Sequence, residues 1–554
     1  MATKTWKLAG GGAWTTSTNW VEGSVPGTGD DVILTTTTVT TNNITAVPDI
    51  TLNSISCANG SGVSTRLAGA SPGKTITITN TTATAALTMS GAGNLQFGSN
   101  GSGGQVNLII NQVTTATVLT AGGVSILSYA SLTINAGTTL TVNGTTFQVS
   151  AGTSSTCTNS GTITLTSGTI TCSGTYVHNQ DGGTVPAMTC GTGTVITISG
   201  LITTTCTIGT ITAGTLGTFN LTCANLTSPV TVTLPTSQTI TNVNLSGTDA
   251  TNRVTLQGVA SSTVLVTNAI EITQYSTLSN GAGNWLFAGL VTIDAGGICS
   301  FSNNGTLTFR NGIANSGTFT QSGTGAVQFN TNNQAISGTV SFAGVIAVSG
   351  TSLTVTNNGT VNSSNQLTGS ASGSTWIQGN NSVLNYGHAT QPMTTGTLTL
   401  TGTNNTVNYN KAGTQAINIS NSYVNLILSG SGNKTAASTL TTTGLLTISG
   451  TAVLSTSHDV AINGTTVCAG GTINATSSST VTYATTALYI IGGTYYNLTV
   501  NSAYYWPFCG AVSITHTPTF LHNIKTVNGI AAAHIKSVNG IAWAHVKEVN
   551  GVFK

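Results

Sequence analysis

Acid–base catalysis needs carboxylates held close together, about 5 to 9.5 Å apart for glycoside hydrolysis. Between its terminal segments the chain offers only Asp181, Asp249, Glu271, Asp294 and Asp459 for such work. They stand far apart in sequence, so only the stacking of distant segments could bring two of them together, and no catalytic residue is assigned. A background crowded with Gly and Ser makes any Gly-x-Ser-x-Gly match uninformative as a nucleophile elbow. The regular Gly-Gly-x-Gly-x-Asp nonapeptide of calcium-binding solenoids is absent. The residues therefore read as a chain that is no enzyme and takes no cofactor.

Metal chemistry fares no better. The nine cysteines, Cys57, Cys157, Cys172, Cys190, Cys206, Cys223, Cys299, Cys468 and Cys509, include no Cys-x-x-Cys pair. The five from Cys157 to Cys223 fall at nearly even steps, too wide for a local zinc knuckle. Equivalent places in successive coils of a repeat explain that spacing, with buried free thiols acting as small hydrophobes. His522, His534 and His545 accompany repeats near the carboxyl end. They could ring a metal only on a three-fold axis, and surface or interface histidine is the simpler reading.

The elements that must carry these residues follow from composition. Only 4% of the 554 residues are charged, against roughly 25% in ordinary soluble proteins. Apolar residues make up 38%, and mean hydropathy is positive, which argues against disorder. A net charge of +2 gives no field for a phosphate backbone, so no nucleic-acid partner is expected. No stretch approaches the ~20 apolar residues of a membrane span, and Met1 to Lys7 leads into no apolar run of the kind an export signal requires. These features fit assembly in a host cytoplasm.

Short segments of alternating Thr and apolar residues follow glycine, as in Gly161-Thr-Ile-Thr-Leu165, Gly168-Thr-Ile-Thr-Cys172, Gly305-Thr-Leu-Thr-Phe309 and Gly396-Thr-Leu-Thr-Leu400. Each predicts a period-two strand behind a turn. Strands this short bury a face only when copies stack, so the predicted fold is all-β, an elongated parallel β-solenoid with Thr, Ser and Asn ladders outside. The cysteine steps, such as that from Cys172 to Cys190, imply short coils of matching length, and three strand-turn sides imply somewhat more. With ~20 residues and ~4.8 Å per coil, roughly 450 residues would stack into a rod on the order of 100 Å long.

Four regions are expected: residues 1–50 as an amino-terminal cap, 51–300 as a Thr- and Gly-rich solenoid, 301–515 as a solenoid with a second repeat, and 516–554 as three hairpins. The second repeat shows in Val327-Gln-Phe329, Val383-Leu-Asn-Tyr386, Val407-Asn-Tyr409 and Val481-Thr-Tyr483, joined by Tyr423-Val-Asn-Leu426 and Tyr496-Asn-Leu498. It resembles repeats of bacterial surface passengers, similar to autotransporter adhesins, and of phage fibre β-helices. Aromatics inside the coil explain it without a ligand. The cluster Tyr495, Tyr496, Tyr504, Tyr505 and Trp506 could stack on glycans, but burial at a last coil is the simpler reading.

At the amino end, Trp6, Trp14 and Trp20 accompany Pro26, Asp30 and Asp31. The segment resembles opening modules that precede β-helical repeats in bacterial and phage surface proteins. An open solenoid end exposes strand edges, and these residues are expected to cap it. Asp30 and Asp31 as neighbours in a strand would point to opposite faces, which argues against a catalytic or calcium pair.

At the carboxyl end, Ile524-Lys525-Thr-Val527-Asn528-Gly529, Ile535-Lys536-Ser-Val538-Asn539-Gly540 and Val546-Lys547-Glu-Val549-Asn550-Gly551 form three evenly spaced copies of one motif. Asn-Gly between apolar alternations is a strong hairpin signal. The tail resembles terminal repeats of phage tail and other virion structural proteins, which implies an attachment or oligomerisation module. The resemblance as a whole implies a structural or adhesive virion protein, as tail fibre, spike or capsid decoration, joined to other virion proteins. A homotrimer is favoured, with a host surface glycan as a candidate partner. The alternative is a bacterial cell-surface adhesin or filament subunit. An ice- or glycan-binding array at Thr35 to Thr38 or Thr203 to Thr205 is a third reading.

Overall fold

In a computed structural model the chain folds as parallel β-sheets wound into a solenoid, as the Gly-Thr repeats predict. The structure describes residues 1–34 and 40–70, the strands and several connections between 73 and 213, residues 215–369, 373–419, 422–484, 489–501 and 507–516, and only short strands between 518 and 542. The sole described helical element is a 3-10 turn at Ser17–Asn19. No helix among the described residues is long and apolar enough to cross a membrane. Two compact units divide the chain, Met1–Ser300 and Phe301–Lys554.

Within the first unit a coil comprises three short strands. Ser64–Gly69, Lys74–Ile78 and Leu87–Met89 form one, and Asn94–Phe97, Val106–Ile110 and Thr117–Thr120 form the next. Strands of successive coils pair in parallel, Leu67 beside Phe97 and Ile76 beside Leu108. Alternate residues point inward, so Leu67, Phe97, Ile76 and Leu108 are buried while Ser64, Thr75, Thr77 and Asn107 lie on the partly exposed outer side. Each buried Val, Leu, Ile or Phe contributes about 1.5–3 kcal/mol, and the stack makes one continuous apolar column.

The second unit repeats the scheme. Thr318–Gln321, Thr339–Phe342, Thr360–Ser363, Val383–Tyr386 and Thr406–Tyr409 stack in parallel on one face. Aromatic side chains fill its interior: Phe309 stacks on Phe329 at 5.4 Å, and Tyr386 meets Tyr409 edge-on at 6.2 Å. Close coil contact demands glycine at corners. A Cβ at Gly338, whose φ is +73°, would sit 1.7 Å from the Asn315 carbonyl oxygen.

Coil length is not fixed, and here the expectation from cysteine spacing needs correction. Register pairs Ser64 with Asn94, Thr360 with Val383 and Thr480 with Asn497, so the coil shortens from one of these places to the next. Cys172 does lie beside Cys190, but the next residue in that ladder is Ala213, and Cys206 and Cys223 belong to other parts of the coil. Connections of variable length absorb the difference while the strands keep register.

Cysteine chemistry also departs from an all-thiol picture. Cys57, Cys190, Cys206, Cys223 and Cys299 are buried, whereas Cys468 and Cys509 form a disulfide with Cα atoms 5.4 Å apart. Cys157 lies outside the described residues, as do Thr35 to Thr38 and Thr203 to Thr204.

Candidate functional site

On the outer face of the second unit, asparagines stand at one position in successive coils. Asn362, Asn385 and Asn408 are neighbours in the parallel register. The side-chain amide of Asn408 donates to Asn385 Oδ1 at 3.0 Å, and that of Asn385 donates to Asn362 Oδ1 at 2.8 Å. Asn362 in turn donates to Ser341 Oγ at 3.1 Å, and the Ser429 hydroxyl donates to Asn408 Oδ1 at 2.7 Å. Each amide has two donors and two acceptor positions. One donor and one acceptor of each serve the ladder, and among the described residues no other hydrogen bond engages these side chains.

Beside this ladder runs a groove of about 520 Å³, lined by Asn362 and Asn385, by the corner residues Ala343, Ser364 and Gly387, and by Lys411. The groove exists because its corners are small. Ala343, Ser364 and Gly387 each follow a strand end, and none of them projects far enough to fill the space. Gln321 stiffens its wall from within, donating to the Gly325 carbonyl at 2.8 Å and accepting from the backbone N–H groups of Ala343 and Gly344 at 2.9 and 2.8 Å.

One end of the groove is cationic. Beneath Lys411, the fully buried Lys434 donates to the Lys411 carbonyl at 2.5 Å, to Gln415 Oε1 at 3.1 Å and to the Gly413 carbonyl at 3.4 Å. Burial, then the neighbouring charge of Lys411, pulls its ammonium down to about 8. His388, next to Gly387, is also lowered, by desolvation and then by Lys411. Among the described residues the only ion pair is Lys74 with Asp49, so neither lysine has a carboxylate partner. Phe301–Lys554 carries seven Lys or Arg against two Asp or Glu.

Two of the isolated carboxylates serve the backbone. Asp249 accepts from the N–H groups of Thr251 and Asn252, both at 2.8 Å, and Asp459 accepts from Thr480 N–H at 2.8 Å. No group of three or more His, Cys, Asp or Glu that could hold a metal occurs among the described residues. Asp181, His522, His534 and His545 lie outside them.

The amino-terminal residues are brought together. Trp6, Trp14 and Trp20 are buried, with Trp20 edge-on to Trp6 at 5.0 Å and to Trp14 at 4.8 Å, and Trp20 Nε1 donates to the Trp14 carbonyl at 2.8 Å. Strand Thr3–Thr5 pairs in parallel with Asp31–Ile33. Along its other side the chain returns antiparallel: Lys7 N–H donates to the Asn19 carbonyl and Val21 N–H to that of Thr5, both at 2.9 Å. Pro26 is buried in the loop that follows. The strand begins at Asp31, so Asp30 stands before it and not within it. Asp30 accepts from the N–H groups of Ala2 and Gly27, whereas Asp31 accepts from Asn53 and Ser54.

At the other end, Val527 pairs antiparallel with Ile530, and Val538 with Ile541, each pair enclosing an Asn-Gly. Ile524, Lys525, Asn528, Gly529, Ile535, Lys536, Asn539, Gly540 and the whole third copy with Val546, Lys547, Val549, Asn550 and Gly551 lie outside the described residues. Of the aromatic cluster, Tyr495 is buried and Tyr496 stacks on His516 at 4.7 Å, while Tyr504, Tyr505 and Trp506 are also outside them.

Outer Asn ladders were expected from the sequence, but Lys411 and Lys434 were not singled out, nor were Asn362, Asn385 and Asn408 assigned to a ladder. The available signal was Val361-Asn362, Leu384-Asn385 and Val407-Asn408, an apolar-Asn pair recurring at an even spacing. Comparison with protein-family models, curated proteins and solved structures finds no match.

Proposed function

We propose that this chain is a non-enzymatic structural and adhesive protein of a phage virion, a fibre, spike or decoration whose solenoid acts as a shaft. The observation that carries the reading is the register itself: coils of unequal length keep their strands in parallel alignment, with apolar columns inside and amide ladders outside. Such a column gives length and a repeating outer surface. The return of residues 19–22 along the first strand supports capping of that end by the tryptophan cluster, since an uncovered edge invites further strand addition. The Asn-Gly tail, which resembles virion repeats, is the attachment or oligomerisation module, and a homotrimer is the favoured assembly.

Deletion of residues 524–554 tests the reading. The shortened protein should remain folded and fail to join particles; normal incorporation would refute the attachment role. The second reading, a bacterial cell-surface adhesin or filament subunit, draws on the passenger-like Val-x-Tyr repeats. Recovery of the chain from bacterial surfaces and not from particles would favour it.

A further inference from the structure

We infer that the groove beside the asparagine ladder is a binding site for an acidic oligosaccharide, with Lys411 meeting a sugar carboxylate and Asn362 and Asn385 meeting hydroxyls. The inference rests on the adhesive reading above and gives it a ligand class. Three independent features converge. The groove crosses five coils, and at ~4.8 Å per coil its length is on the order of 20 Å, room for a short chain of sugars. Its wall presents Asn362 and Asn385, each with a donor and an acceptor that the ladder does not use, at one coil's spacing, and hydroxyl-rich ligands need such alternating partners.

Its end carries Lys411 above the buried Lys434, two ammonium groups without a carboxylate partner. Carbonyl oxygens satisfy Lys434, whereas no hydrogen bond within the protein engages the Lys411 ammonium among the described residues. A charge-assisted bond to a carboxylate is about twice as strong as a neutral one, so an anionic sugar gains there what a neutral sugar does not. Small corner residues leave the approach open.

The test is calorimetric titration of the full-length protein with tri-galacturonate and with a hyaluronan hexasaccharide, each beside its carboxyl-reduced neutral form. At least one acidic form should bind at least tenfold more tightly than its neutral counterpart. Lys411→Gln should remove that preference, and Ser364→Trp, at an exposed corner, should abolish binding with an unchanged thermal midpoint. Equal affinity for acidic and neutral forms, no binding of either acidic probe, or wild-type binding by both variants would overturn the site. Adhesion of the wild-type protein and of Ser364→Trp to bacterial cells is measured alongside. Adhesion that survives in the variant refutes the groove and spares the adhesive reading, whereas failure of the wild type to adhere refutes that reading while the titration still decides the groove.

Discussion

The hydroxyl of Tyr409 lies 2.7 Å from that of Tyr423, and together the two hold a single residue of the core. Tyr409 Oη accepts from the Asn418 N–H at 2.9 Å, while the Tyr423 hydroxyl donates to the Asn418 carbonyl. The device recurs. Tyr483 and Tyr495 hydroxyls stand 3.0 Å apart, Tyr483 accepts from Ile491 N–H at 3.2 Å, and Tyr495 donates to the Ile491 carbonyl. A connection that dips into the apolar interior thus has both its backbone groups satisfied.

Removing one hydroxyl leaves a buried carbonyl unmet, at a cost of about 1–3 kcal/mol. Tyr423→Phe and Tyr495→Phe should each lower stability by that order in denaturant titration. Tyr409→Phe added to Tyr423→Phe should cost less than the sum of the two singles, because the pair acts as one unit. Additive losses would show that the hydroxyls act separately.

Alkaline pH should unfold the protein. Burial raises Tyr386 to about 12, Cys57 to about 12 and Cys206 to about 11, and raises Tyr409, Tyr423, Tyr483 and Tyr495 further still. These groups keep their protons in the folded chain after the unfolded chain has lost them, so the folded state binds more protons and stability falls with rising pH. Their contribution is complete below about pH 8.5 and is lost from there through pH 10 and above. The thermal midpoint, followed from pH 7 to 11, should drop most steeply beyond pH 10. A flat profile would contradict the buried tyrosines.

Lys434 has the opposite sign. Its lowered value means that the folded chain binds fewer protons than the unfolded chain between about pH 8 and the ordinary lysine value. The penalty for burying the ammonium is complete below about pH 8 and is relieved as pH rises through that window. The stability of the wild type relative to Lys434→Met should therefore increase from pH 8 to 10, with the tyrosine and thiol effects common to both proteins. A constant difference would place the ammonium in a wetter site.

The Cys468–Cys509 disulfide joins residues 41 apart near the carboxyl end of the solenoid. Disulfides typically contribute about 2–4 kcal/mol, so Cys468→Ser with Cys509→Ser should lower stability by that order. Protease susceptibility should rise between residues 465 and 515 first, with cleavage products read by mass spectrometry. Unchanged cleavage there would show that stacking alone holds the last coils.

What sequence could reveal followed locality. Gly161 to Leu165 and Gly305 to Phe309 announced the strands Thr162–Leu165 and Leu307–Phe309, because alternation and turn residues act within a few positions. Val527 opposite Ile530 follows from the same kind of local rule. Contacts between coils were hidden, since coil length varies from place to place and no single period tells which residues meet. The approach of Lys434 to Lys411, the pairing of Cys468 with Cys509 and the alignment of Ala343, Ser364 and Gly387 that opens the groove all depend on that hidden register. The tyrosine repeat fell between these cases: its spacing was visible, but not the shared grip on Asn418.

Electron microscopy of the purified full-length protein tests the central claim most directly. A shaft protein built from stacked coils at ~4.8 Å per coil should appear as a rod on the order of 100 Å. A rounded particle with no long axis would contradict the account.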